Sequence, residues 1–106
     1  MIDEQIGEAV VDGAPRPIRI NTHSHHVELW VGDKEAFILF RLREPVLSLI
    51  HTEVPPALKG KGLADTLARA ALDYARAHAL RVKVICPFVA KFIQRHPEYQ
   101  NLSSDE

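Results

Sequence analysis

Three places in this 106-residue chain hold residue types whose spacing could do chemistry. The first is KGKGLADTL, Lys59 to Leu67, where two lysines alternate with two glycines directly before a helical pattern. Free backbone N–H groups at a helix start, the positive end of its dipole and two ammonium groups together favour an anion. Gly60 and Gly62 let the backbone approach a ligand without side-chain interference. The second is His51, since a histidine with an ordinary pKa of about 6.5 is a usable base near neutral pH. Alternation places it on one strand face with Leu47, Leu49 and Glu53, so a histidine half in solvent is the plain alternative. The third is Cys86, which ends an apolar segment and adjoins Pro87. A cysteine at a helix N-terminus can become nucleophilic, whereas its alternation with Val82 and Val84 reads as a buried, inert thiol.

The glycine loop fails two nucleotide fingerprints. A P-loop needs Ser or Thr after Gly60-Lys61, where Gly62 stands, and a glycine where Pro55 stands. The dinucleotide pattern GxGxxG needs a glycine at Asp65 and an acidic residue about 20 positions on, where the chain is apolar and carries Cys86. Any strand-to-helix loop benefits from glycine and lysine, so spacing alone leaves an anion cradle and a plain loop both standing. THSHH, with His23, His25 and His26, matches no zinc spacing, and no metal is expected. Arg69 and Arg76 read as a solvated helix face, Lys91 and Arg95 likewise, and Trp30, Phe37 and Phe40 as sheet packing.

The elements that position these residues follow from periodicity. HVELWV alternates as a strand, GDK is a tight turn, and AFILFRL returns with Ala36, Ile38, Phe40 and Leu42 on one face. VLSLIHTEV is apolar on both faces near its start, as a central strand is. Leu63, Leu67, Ala70, Ala71, Tyr74 and Ala75 form one helical stripe, with Asp65 in a first turn where a carboxylate suits the dipole. RVKVIC is another strand, and a helix runs from Pro87 to before Pro97. The strand–helix–strand segment from Val46 to Cys86 makes its two strands parallel. The expectation is therefore an α+β fold, an antiparallel meander plus one parallel crossover and a C-terminal helix. AVVDGAPRPIRI, with one Gly and two Pro, offers at best short strands and leaves residues 1–25 as an N-terminal extension. SSDE reads as a frayed tail, 103–106.

Composition narrows the class. One domain, 1–106, fits the length. A net charge of -1 and a pI near 6.6 argue against a general nucleic-acid partner. No apolar run approaches the roughly 20 residues of a membrane span, and MIDEQIGEAVV lacks the basic and apolar parts of a signal peptide. A single cysteine fits a reducing compartment, so a cytoplasmic location is expected. The sequence leaves the oligomeric state open, and a monomer is compatible with it.

The loop and its surroundings carry a resemblance. Lys59-Gly60-Lys61-Gly62-Leu63-Ala64 resembles the [RQ]xxGx[GA] motif of the GNAT superfamily of acyl-CoA N-acyltransferases, with Lys59 in the Arg/Gln place, Gly62 in the glycine place and Ala64 in the Gly/Ala place. Together with HTEVP and the strand ending VIC, the stretch from His26 to Leu102 is similar to a small single-domain GNAT-like subgroup. The resemblance implies that Lys59 to Ala64 bind the pyrophosphate of acetyl-CoA and that the HTEV strand splays from the VIC strand. The backbone of Val54 would then meet the pantetheine arm. It also implies transfer of an acetyl group to an amine, borne by a small molecule or a peptide, with His51 and Cys86 as catalytic candidates. Larger members carry two helices after their first strand, which this chain lacks before Leu63. A non-catalytic CoA-binding or partner-binding module is accordingly the alternative.

Overall fold

A computed structural model of the chain describes residues 3–103. Six strands form one sheet in sequence order: β1 (Asp3–Val11), β2 (Ala14–Asn21), β3 (His26–Val31), β4 (Lys34–Arg43), β5 (Val46–Glu53) and β6 (Arg81–Val84). Every neighbouring pair is antiparallel except β5 and β6, which α1 (Leu63–Ala77) joins as a parallel crossover. The second helix, α2 (Pro87–Arg95), ends before Pro97 and is followed by a 3-10 segment, Pro97–Leu102. This is the α+β meander with one crossover that the periodicity predicts. No helix among the described residues is long and apolar enough to cross a membrane.

The N-terminal reading needs correction. Residues 3–21 form two full strands closed by Asp12-Gly13, both at positive φ. Pro15 and Pro17 sit on the strand that pairs with β1, and the hairpin survives them because alternate residues Ile18 and Ile20 lie buried in the core. The expected tail also begins later. Ser103 bridges to Val82, and its carbonyl accepts a bond from Arg81 at 2.6 Å. Residues 104–106 lie outside the described residues.

One sheet face carries the core. Ile18, Val27, Leu29, Ile38, Phe40, Leu47, Leu49 and Val82 face α1 and α2, and Leu67, Leu72, Val89 and Phe92 close over them, all 2% exposed or less. Helix α1 is buried on two sides, because Ala68 and Leu72 join the expected stripe where α2 and the C-terminal segment cover it. Arg69 and Arg76 are exposed, as the solvated-face reading expects, and they also cover aromatic rings. Their guanidinium groups lie over the rings of Phe92 and Tyr99, and Tyr99 donates to Asp73 at 2.7 Å.

Candidate functional site

Two local devices build the site. The first is a bulge in β5. Leu49 pairs with Phe40 and His51 with Leu39, which leaves Ile50 as an extra residue. An extra residue reverses the alternation beyond it. Leu47 and Leu49 point into the core, but His51 and Glu53 turn to the opposite, helix-free face, and Thr52 to the core side opposite Ile38. The expectation that His51 shares a face with Leu47 and Leu49 fails for this reason. His51 Nε2 and Glu53 Oε1 are 2.8 Å apart, each side chain 57% exposed.

The second device is the parting of β5 from β6. Their register runs only from Val46–Arg81 to Leu49–Val84, although β5 continues to Glu53. The N–H groups of Ile85 and Cys86 both bond Leu49 O, at 2.9 and 3.0 Å, and end the pairing. Beyond that point the β6-facing edge of Ile50 to Glu53 has no strand partner among the described residues. Cys86 stands in this fork, 3% exposed, at the N-cap of α2, with Thr52 Oγ1 at 3.3 Å from its Sγ. His51 and Cys86 are thus not brought together: β5 separates them, and Thr52 is the residue that meets the thiol.

The glycine loop lies at the mouth of the fork. Gly60 and Gly62 adopt φ of 83° and 73°, a left-handed backbone that glycine takes without strain. Gly62 is the N-cap of α1, and no side chain caps the helix. The first amide groups of a 15-residue helix are left for another acceptor. Val54, Leu58, Lys59, Gly60, Gly62, Leu63, Ala64, Asp65 and Phe88 line a cavity of about 330 Å³ there. Of the seven loop and strand-end positions expected to bind a cofactor, six line this cavity. Lys61 does not. Its ammonium pairs with Asp12 at 3.0 Å, on the turn of the N-terminal hairpin. Asp65 is held off by Arg95 at 3.3 Å, so its negative charge is partly matched at the helix start.

Sequence reasoning missed one group entirely. Glu28 is 7% exposed despite standing among strand positions read as outward, because Trp30 Nε1 and Asn21 Nδ2 donate to its carboxylate, each at 3.2 Å. His26, stacked on Phe37, contacts Glu35 at 2.8 Å, and the ligand atoms of His26, Glu28 and Glu35 lie within 4.8 Å of one another. Of the three histidines in THSHH, only His26 belongs to this cluster, which no spacing pattern would have signalled.

Residues 26–102 match the family described as GCN5-related N-acetyl-transferase, and the chain belongs to that family. Among individual proteins it is similar to Protein NATD1 of Bos taurus, 33% identical over 102 residues that cover 89% of this chain and 90% of that one. Protein NATD1 of Mus musculus and of Homo sapiens are each 33% identical over 70 residues, 66% of this chain and 64% and 62% of theirs.

Proposed function

We propose that this chain is an acetyl-CoA-dependent N-acetyltransferase acting on an amine. The observation that carries the reading is the uncapped start of α1 opening onto the cavity between Lys59–Asp65 and Val54. A glycine loop of left-handed backbone, Lys59 and a helix start with no side-chain cap suit a diphosphate, and the apolar walls of Val54, Leu58 and Phe88 suit the arm beyond it. Bound acetyl-CoA supplies the activated acyl thioester. Lys59, Gly60, Gly62, Leu63 and Ala64 hold its diphosphate, with Lys61 contributing less because Asp12 engages it. The backbone at Val54, just past the end of β5, receives the pantetheine. When His51 Nε2–H donates to Glu53, His51 Nδ1 carries the lone pair that takes a proton from an ammonium on the helix-free face. Cys86 Sγ lies on the other side of β5, in the fork, where the thiol is placed to give a proton to the departing thiolate. The placement favours direct transfer over a covalent relay, since a buried Sγ bonded to Thr52 is poorly open to an incoming amine. The acceptor is a small molecule or a peptide amine.

Calorimetry with acetyl-CoA, paired with thiol release over a panel of amines, tests this reading. Saturable binding with amine-dependent thiol release supports it. Binding without turnover for any amine selects the non-catalytic module instead, and no binding ends the CoA reading in both forms.

A further inference from the structure

We propose that the helix-free face of the sheet recognises its acceptor through a second, anionic group, so that the acceptor is a small zwitterion: an aliphatic amine carrying a carboxylate or a phosphate. The inference rests on the acyl-transfer reading for the identity of the amine as substrate, and on the following geometry for the rest.

Both helices pack on the core face, so among the described residues nothing covers the other one. Its charges are sorted along the strands. At the end where β5 leaves β6 stand Glu53 with His51, and Glu35 with His26 over the buried Glu28. At the other end stand Arg41 and Arg43 of β4, with Lys83 reached across Ser48. Among the described residues Arg41, Arg43 and Lys83 have no carboxylate within ion-pair distance. Arg19 stands across from Glu28 without an ion pair to it, so it offsets only part of the acidic end.

A notch in the sheet joins the two ends. β3 begins at His26 while β4 runs on to Arg43, so the Phe40 N–H finds its partner at His25 O, 2.8 Å away, and the strand beyond has no neighbour on that side among the described residues. The Leu42 N–H, two residues on, points the same way into the notch. A cavity of about 440 Å³ fills the space, lined by Thr22, His25, Arg41 and Arg43 beside Phe40 and Leu42. A second of about 170 Å³ shares His25 and Arg41 with it and reaches Ile50, the bulge residue next to His51. Neither is lined by a carboxylate. Two guanidinium groups, a hydroxyl and a backbone N–H make an anion site, and its continuation reaches Ile50, the residue before the proposed base.

The spacing sets the ligand. Arg41 lies two residues along β4 from Leu39, the cross-strand partner of His51, a separation of about 7 Å. An amine at His51 and Glu53 with its anionic end at Arg41 therefore spans a short aliphatic chain, as in 4-aminobutyrate or 2-aminoethyl phosphate. The arginines repel a polyamine at the same place. The fork between β5 and β6 lets such an amine reach the acyl group from this face while the glycine-loop cavity is entered at the helix N-termini.

The test is calorimetric titration with 4-aminobutyrate and 2-aminoethyl phosphate against butylamine and spermidine, on the natural chain and on the Arg41→Gln/Arg43→Gln variant, whose changes are exposed. At least one zwitterion should bind about tenfold tighter than butylamine, and the double variant should erase that advantage while acetyl-CoA affinity stays within twofold. Equal or tighter binding of butylamine or spermidine overturns the proposal, as does a zwitterion preference that survives in the variant, or no binding of any of the four amines with or without acetyl-CoA. A separate acetyl-CoA titration keeps the two ideas apart. Its failure alongside an intact zwitterion preference removes the acyl-transfer reading and leaves the anion site; the reverse pattern removes the anion site alone.

Discussion

Thr52 Oγ1 stands 3.3 Å from Cys86 Sγ on the core side of β5, while His51, the residue before it, faces the other side of the sheet. The bulge at Ile50 makes this division, and it separates the two groups proposed to handle protons. Cys86→Ala is expected to lower kcat by about 10²-fold with acetyl-CoA affinity little changed, because Sγ faces the fork and not the glycine loop. Thr52→Val should reduce kcat by less, since it removes only the partner that fixes the thiol. Steady-state kinetics beside calorimetry separate the effects. A Cys86→Ala protein with full turnover would mean that the thiol only packs.

The two lysines of the loop are not equivalent. Lys59 lines the cavity, whereas Lys61 is engaged by Asp12. Lys59→Ala should weaken acetyl-CoA binding about fivefold and make it less sensitive to salt, in keeping with one partly screened ion contact. Lys61→Ala should change it less than twofold. Gly62→Asp places a carboxylate at the uncapped helix start, where it competes for the same amides, and should cost at least about tenfold. Equal losses for the two lysine variants would contradict the assignment.

What the sequence disclosed, and what it concealed, divides at particular residues. The alternation of Ala36, Ile38 and Phe40 and the stripe from Leu63 to Ala75 gave strand and helix directly, because each faces the core at its own period, although Ala68 and Leu72 add a second buried side to α1. The loop from Lys59 to Ala64 was legible because glycine at positive φ and an uncapped helix start are local properties. The side of the sheet on which His51 lies was not, because one unpaired residue, Ile50, reverses the parity and leaves no mark in composition. Nor was the hairpin of residues 3–21, whose prolines and glycine argue locally for a turn while β1 packs on α1, far along the chain, and Val11, Ile18 and Ile20 are buried in the common core. Glu28 was hidden similarly, its burial depending on Asn21 and Trp30.

Alkaline pH should loosen the seam between α1 and the C-terminal segment. Burial holds the Tyr99 phenol above the usual 10.0, reinforced by its bond to Asp73 and by that residue's charge, with Arg69 opposing. The Tyr74 phenol is raised by burial and by Glu4 and Glu44. In the unfolded chain both protons leave near pH 10, whereas the folded chain keeps them, so the stability they contribute is complete below pH 10 and falls as pH rises toward the folded values. Urea midpoints measured across pH 8 to 11 should therefore decline above about 10. Tyr99→Phe should flatten the decline and cost about 1 kcal/mol at neutral pH, the worth of one hydrogen bond. A natural chain whose midpoint is flat across this range would refute the account.

Gly7 tests whether the N-terminal hairpin is part of the core or an appendage. It lies where the register of β1 slips against β2, paired with Ile18, and a Cβ built there would come within 3.2 Å of the Ala70 Cβ on α1. Neither partner can rotate away, because the Ala70 Cβ is fixed to a helix backbone and β1 is tied to β2 along eight paired residues. Gly7→Val must therefore push the hairpin from α1 or strain its own rotamer, and the expected loss is about 1–3 kcal/mol with an unchanged urea m-value. The same displacement would move Asp12, at the hairpin turn, away from Lys61. The freed ammonium would then join Lys59 at the loop, so the destabilised variant should bind acetyl-CoA at least as tightly as the natural chain. Loss of stability together with loss of binding would show that the hairpin supports the loop in some other way, and no loss of stability would show that residues 3–21 are an appendage after all.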